Sequence, residues 1–144
     1  MSTVDRLPAA RFKALSEPSR LDILALLHHH GELCVCDVMA TLQITQSRAS
    51  RHLSVLAQAG FVEGRRAGMW VHYRVVPEPE PLVASLVGLV AQGFPPDRLA
   101  AISRRLAEVL LVYGLGHSLL VLVAGVATVA SSDCDAEDFV VGLP

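Results

Sequence analysis

Cysteine is scarce in this chain and poorly placed for a disulfide framework: Cys34, Cys36 and Cys134 are the three among 144 residues. An odd count with one tight pair does not make a set of staples. Two cysteines one residue apart would also close a strained ring. Free thiols in a reducing compartment follow from this. Residues 1–15 lack the apolar run of a signal peptide, which points likewise to a cytoplasmic protein. No C-x-x-C pair occurs and no catalytic base adjoins the cysteines, so a thiol enzyme is not expected. The sequence also lacks internal repeats.

What is present suits a packed domain. Hydrophobic residues make up 52% of the chain, enough to bury a core. The formal net charge of −2 hides an asymmetry. Residues 1–76 hold nine Lys/Arg against six Asp/Glu, a balance of +3, and residues 77–144 hold three against eight, a balance of −5. A basic front half keeps a nucleic-acid partner in play there, whatever the sum.

Proline, glycine and periodicity divide the chain. Residues 4–15 read as a first helix, with Pro8 an early kink. A break at residues 16–19 precedes a second helix over 19–30, which Gly31 stops. Residues 32–42 read as a short helix, or a strand-like turn leading into one. Residues 46–59 are the clearest helix: Ala49, Leu53, Leu56 and Ala57 line one face, Thr45 is its N-cap and Gly60 its stop. Residues 61–66 and 69–76 alternate as two strands around Ala67-Gly68. The Pro77–Pro81 segment is a stiff exposed connector. A helix over 82–92 and a last helix capped by Asp97 follow. The fold class is therefore mainly α with a two-stranded β-hairpin wing: a winged helix-turn-helix with extra C-terminal helices.

That order fits double-stranded DNA, because a helix about 10–12 Å across enters the major groove. Arg48 and Arg51 are three apart and share a face. Either can reach phosphate or the acceptor edge of guanine. Gln46, Ser47, Ser50 and His52 offer further polar groups, and Arg65 and Arg66 lie beside the hairpin tip. Trp70 and Tyr73 read as core or dimer-contact residues rather than base-stacking groups.

The pair Cys34 and Cys36 offers soft ligands suited to arsenic(III), antimony(III), cadmium, lead or zinc. A thiolate at a helix N-terminus is stabilised, so a lowered thiol pKa is expected. Residues two apart in an α-helix point about 200° apart. Their sulfurs cannot both reach one ion at ~2.3 Å. Joint binding needs this turn to be non-helical, or forces it to become so. A thiol redox switch is the alternative use of the pair.

These motifs resemble the ArsR/SmtB family of metal-responsive repressors. Glu32-Leu33-Cys34-Val35-Cys36-Asp37 resembles the signature of its arsenic- and cadmium-responsive branches. Gln46-Ser47 through Ser50-Arg51-His52-Leu53 resembles its recognition helix, and Gly68 with Trp70-Val71-His72-Tyr73-Arg74 its wing. The resemblance spans about residues 10–76. It implies a homodimer that binds operator DNA, represses its own operon and lets go when an ion binds, with no permanent cofactor. Arsenic-responsive members carry a third cysteine where this chain has Met39. Cadmium- and lead-responsive relatives add cysteines from an N-terminal arm, and residues 1–33 contain none. The zinc site of other relatives uses histidines on the last helix, and residues 77–108 contain none. Cys134, water or a small thiol are candidates for the third ligand, and His28, His29 and His30 adjoin the motif.

Residues 109–130 carry no charge. Their length could span a bilayer, with Arg104 and Arg105 on the cytoplasmic side. A long apolar helix buried in a dimer interface explains the same stretch and is favoured over a membrane-tethered DNA-binding sensor. The expected organisation is a DNA-binding unit over 1–76, a dimerising helical region over 77–130 and an acidic tail over 131–144.

Overall fold

Each proline and glycine break acts close to its expected place in the computed structural model, which describes residues 8–68 and 70–123, with side chains to residue 112. Helix α1 covers Pro8–Ala14; the start expected at residues 4–7 lies outside the described residues. Helix α2 covers Pro18–His30. Pro18 takes the first helical position, where its missing N–H costs nothing. Glu17 caps the helix by accepting the Arg20 N–H at 3.2 Å. Gly31 ends it with φ of 79°, a conformation that favours glycine.

Both readings of residues 32–42 prove right in turn. Leu33–Cys34 form strand β1 and Val35–Leu42 form helix α3. Gln43, at φ 56°, closes α3 in the left-handed region. Helix α4 covers Gln46–Gln58, and Thr45 Oγ1 accepts the Arg48 N–H at 3.3 Å as its cap.

The wing pairs β2 (Val62–Ala67) antiparallel with β3 (Trp70–Val75). Ala67 pairs with Trp70, so the turn opens at Gly68, one residue later than the sequence suggested. The hairpin is also not alone. Strand β1 adds to its far edge, giving a three-stranded sheet in the order β1-β3-β2. The sequence could not reveal this, because a two-residue strand has no periodicity. Register puts Cys34 opposite His72 and His72 opposite Arg65. Directly paired residues share a face, so these three form one row. The neighbouring row of Leu33, Tyr73 and Gly64 faces the core, where Tyr73 is fully buried.

Helices α5 (Pro81–Gly93) and α6 (Pro96–Val123) complete the described chain. Pro81 is thus the first residue of α5 rather than only connector. Asp97 is not the cap of α6: the Pro95 carbonyl already accepts the Leu99 N–H at 3.0 Å, which places Asp97 inside the first turn. A carboxylate there still complements the helix dipole.

Among the described residues the core is one cluster. Ile23, Leu24, Leu26 and Leu27 of α2 join Val35 and Val38, Leu53 and Leu56, Phe61, Val83, Ile102 and Leu106 in one cluster. Each such side chain contributes roughly 1.5–3 kcal/mol by leaving water. Residues 22–27 of α2 are all buried, since α4, α5, α6 and β3 all pack around that helix. Buried Asp22 accepts from Arg98 Nε at 2.6 Å and Nη2 at 2.5 Å, which fixes the start of α6 against α2. Buried Arg11 likewise bonds Glu80 at the entrance to α5.

Helix α6 carries residues 109–123 of the uncharged stretch. Among the described residues no helix is long and apolar enough to cross a membrane. The rest of that stretch, Cys134 and the acidic tail lie outside the described residues.

Candidate nucleic-acid interface and thiol site

Helix α4 sorts its polar residues by helical geometry. Ser47, Arg48 and Arg51 are exposed on one side. Gln46 and Ser50 sit on the flank that turns toward the core, where Gln46 Nε2 and Ser50 Oγ are enclosed without a protein hydrogen-bond partner. His52, expected among the outward groups, is turned inward and only 8% exposed. Its Nδ1 lies 3.4 Å from Arg20 Nη1 and 3.7 Å from Glu17 Oε2. Burial lowers its pKa; Glu17 opposes that, and Arg20, Arg48 and Arg51 add to it. His52 therefore joins α4 to the head of α2. The signal was present in the sequence, for position 52 lies one turn from both Ala49 and Leu56 on the apolar side.

The wing carries its cations differently. Arg65 and Arg66 are exposed. Arg65 donates through Nε at 3.1 Å and Nη2 at 2.6 Å to a single oxygen, Glu32 Oε1. His72 Nδ1 lies 3.9 Å from that same oxygen. Further along the hairpin, Arg74 donates to Glu63 at 2.7 Å.

The cysteine pair straddles a change of structure. Cys34, with φ −70° and ψ 151°, is the last residue of β1 and the N-cap of α3. Cys36 is the second residue of α3. The 200° separation expected for two helical residues therefore does not apply, because one of them is extended. Cys34 N–H donates to Asp37 Oδ2 at 3.0 Å, which locks the strand-to-helix corner.

The expected lowering of the Cys34 pKa is reversed. Burial pushes the thiol up, and the Asp37 carboxylate adds to the rise. The N–H groups of Cys36, Asp37 and Val35 favour the thiolate but are outweighed. Burial also raises Asp37, against the pull of the Cys34 N–H and of His72. Met39 is partly buried and packs against the core. His28, His29 and His30 are exposed, and His30 Nε2 meets Ser103 Oγ at 2.8 Å. Among the described residues no group of three or more His, Cys, Asp or Glu is placed to hold a metal ion. Sequence reasoning missed His72 opposite Cys34, because only the β1–β3 pairing brings it there; it also missed the effect of Asp37 on the thiol, which acts within the local corner.

Comparison with known proteins bears on both regions. The arsR family of bacterial regulatory proteins matches residues 17–64. An arsenical resistance operon repressor of Escherichia coli K12 is 40% identical over 102 residues, which is 71% of this chain and 86% of that protein. An arsenic resistance transcriptional regulator of Pseudomonas putida is 40% identical over 105 residues, 70% of this chain and 78% of that protein. Among solved structures, the homodimeric winged helix-turn-helix DNA-binding domain of a Mycobacterium bovis protein superposes with a TM-score of 0.50 at 36% identity. It covers 57% of this chain and 72% of that one.

Proposed function

Since the chain belongs to the arsR family of bacterial regulatory proteins, whose members are DNA-binding regulators and not enzymes, we propose that it is a cytoplasmic, homodimeric transcriptional repressor released from operator DNA when arsenic(III) or antimony(III) binds Cys34 and Cys36. Residues 1–76 form its DNA-binding unit and residues 77–130 its pairing region. The exposed apolar side chains Phe12, Leu110, Leu111 and Val112 are what a second copy would cover. Ser47, Arg48 and Arg51 of α4 face the major groove, with Arg65 and Arg66 reaching the backbone beside it.

The observation that carries this reading is the corner between β1 and α3. It holds two cysteines at the strand-to-helix change, in the same short segment that sets α3 and, through it, α4. In the reduced protein an ion held there pulls on the support of the DNA-reading helix.

The burial of Cys34 favours a trivalent metalloid over a divalent metal. Arsenous acid is neutral, and each As–S bond replaces an As–OH bond, with the thiol proton and the hydroxide leaving together as water. A thiol that stays protonated is a competent reactant in that exchange. Cadmium or zinc must instead displace the proton, and an elevated pKa weakens their hold. Two sulfurs leave one hydroxyl or another donor on the metalloid, and Cys134 is the remaining thiol of the chain.

Fluorescence anisotropy on a labelled duplex from upstream of the protein's own gene tests the reading. Arsenite and antimonite should release the wild type at concentrations where zinc and cadmium do not. The Cys34→Ser, Cys36→Ser variant should bind the duplex normally and ignore all four. Undiminished release of that variant by arsenite would defeat the assignment.

A further inference from the structure

We infer that Glu32 competes with DNA phosphate for the wing arginine Arg65, so that wing affinity is set from the strand that carries Cys34. The inference rests on the DNA-binding reading above and adds a residue that reading does not use.

A guanidinium pairs with carboxylate and phosphate through the same N–H groups. Arg65 commits Nε and Nη2 to one oxygen of Glu32, at 3.1 and 2.6 Å. Those two N–H bonds are then unavailable to a phosphate unless Glu32 lets go, which leaves the second Nη2 N–H and the Nη1 pair. The carboxylate also places a negative charge at a face that must approach a polyanion, which opposes association independently of the hydrogen bonds.

Geometry makes Glu32 unusual among the wing's acids. Glu63 and Arg74 face each other on adjacent strands of one hairpin, so their pairing is local. Glu32 stands outside the hairpin, just before β1, and reaches across β3 to Arg65 on β2. His72 lies beneath that bridge, 3.9 Å from the carboxylate and opposite both Cys34 and Arg65 in register. The acid is two residues from Cys34, and its backbone runs directly into the strand that holds the thiol. A shift of β1 against β3 moves the carboxylate relative to Arg65. The position of the thiol strand therefore sets how readily the wing cation is given up.

The pair is partly solvated: the Arg65 side chain is 55% exposed and that of Glu32 26%. Exposed ion pairs are weak, so the clamp can open when DNA arrives, and the effect is a modulation rather than a block.

The test measures duplex affinity for wild type, Glu32→Gln, Arg65→Ala and the double variant, by anisotropy over a range of salt concentrations. Circular dichroism and thermal unfolding serve as controls on folding. Glu32→Gln should bind ~3- to 10-fold more tightly than wild type. Its salt dependence should steepen by about one phosphate contact per protomer. In the Arg65→Ala background the gain should shrink to the part owed to the lost negative charge alone. Equal or weaker binding by Glu32→Gln overturns the inference, as does an undiminished gain without Arg65. If the wild type binds no duplex, the DNA-binding reading falls and takes this inference with it. If the wild type binds and Glu32→Gln gains nothing, this inference alone falls.

Discussion

Helix α4 and the wing both present arginines to solvent, yet they hold them differently. Arg48 and Arg51 project from α4 with no salt bridge among the described residues, whereas Arg65 of the wing is held by Glu32 and Arg74 by Glu63. The reading helix offers cations that are ready, and the wing offers cations that must be exchanged. The helix is fixed from behind by the core and by His52, so its outward face can be left open. The wing is a thin sheet with one face on the core, and its outer face is organised by its own ion pairs. On the proposed reading, α4 supplies most of the affinity for DNA and the wing is left for adjustment.

The largest expected effect breaks the comparison at its stronger side. Changing Arg48 and Arg51 together to Ala should weaken duplex binding on the order of 100-fold or more, given ~1–3 kcal/mol for each good contact to a base. Arsenite binding by the free protein, followed by intrinsic fluorescence of Trp70 or by calorimetry, should stay unchanged. A matching fall in arsenite affinity would mean that the two regions are not separable as described. The Glu32 experiment sharpens the same comparison at its weaker side, with an effect an order of magnitude smaller and of opposite sign.

The smallest effect concerns the support behind α4. Burial holds the folded-state pKa of His52 below its ordinary value of 6.5. The unfolded chain therefore takes up this proton first as the pH falls. The stability tied to neutral His52 is present above about pH 6.5 and is lost as the pH drops below it toward the lower folded-state value. Thermal unfolding of wild type and His52→Gln between about pH 7.5 and 5.5 checks this. The wild type should lose more stability on acidification than the variant, and parallel curves would count against the role given to His52.

What was legible in the sequence was local. The helix boundaries at Pro18, Gly31, Thr45 and Gly60 follow from backbone rules that act over a few residues, and all four lie close to the expected places. The apolar face of α4 and the alternation of β3 likewise needed only their own periods. What was not legible depends on partners far apart in the chain. Arg65 and Glu32 are 33 residues apart, and Arg98 and Asp22 are 76 apart. Strand β1, two residues long, exists only because β3 lies beside it. The inverted pKa expectation at Cys34 is likewise non-local. The helix N-terminus is there and its N–H groups do favour the thiolate, but the burial that outweighs them comes from packing that the local motif does not contain.

The central claim is that the thiol corner and the DNA-reading surface oppose each other, and that coupling must act in both directions. The most direct test is the affinity of the reduced protein for arsenite, measured once for the free protein and once with the protein saturated by operator duplex. The account predicts weaker arsenite binding in the presence of DNA, by the same factor by which arsenite weakens DNA binding. Equal arsenite affinity in the two states would contradict it.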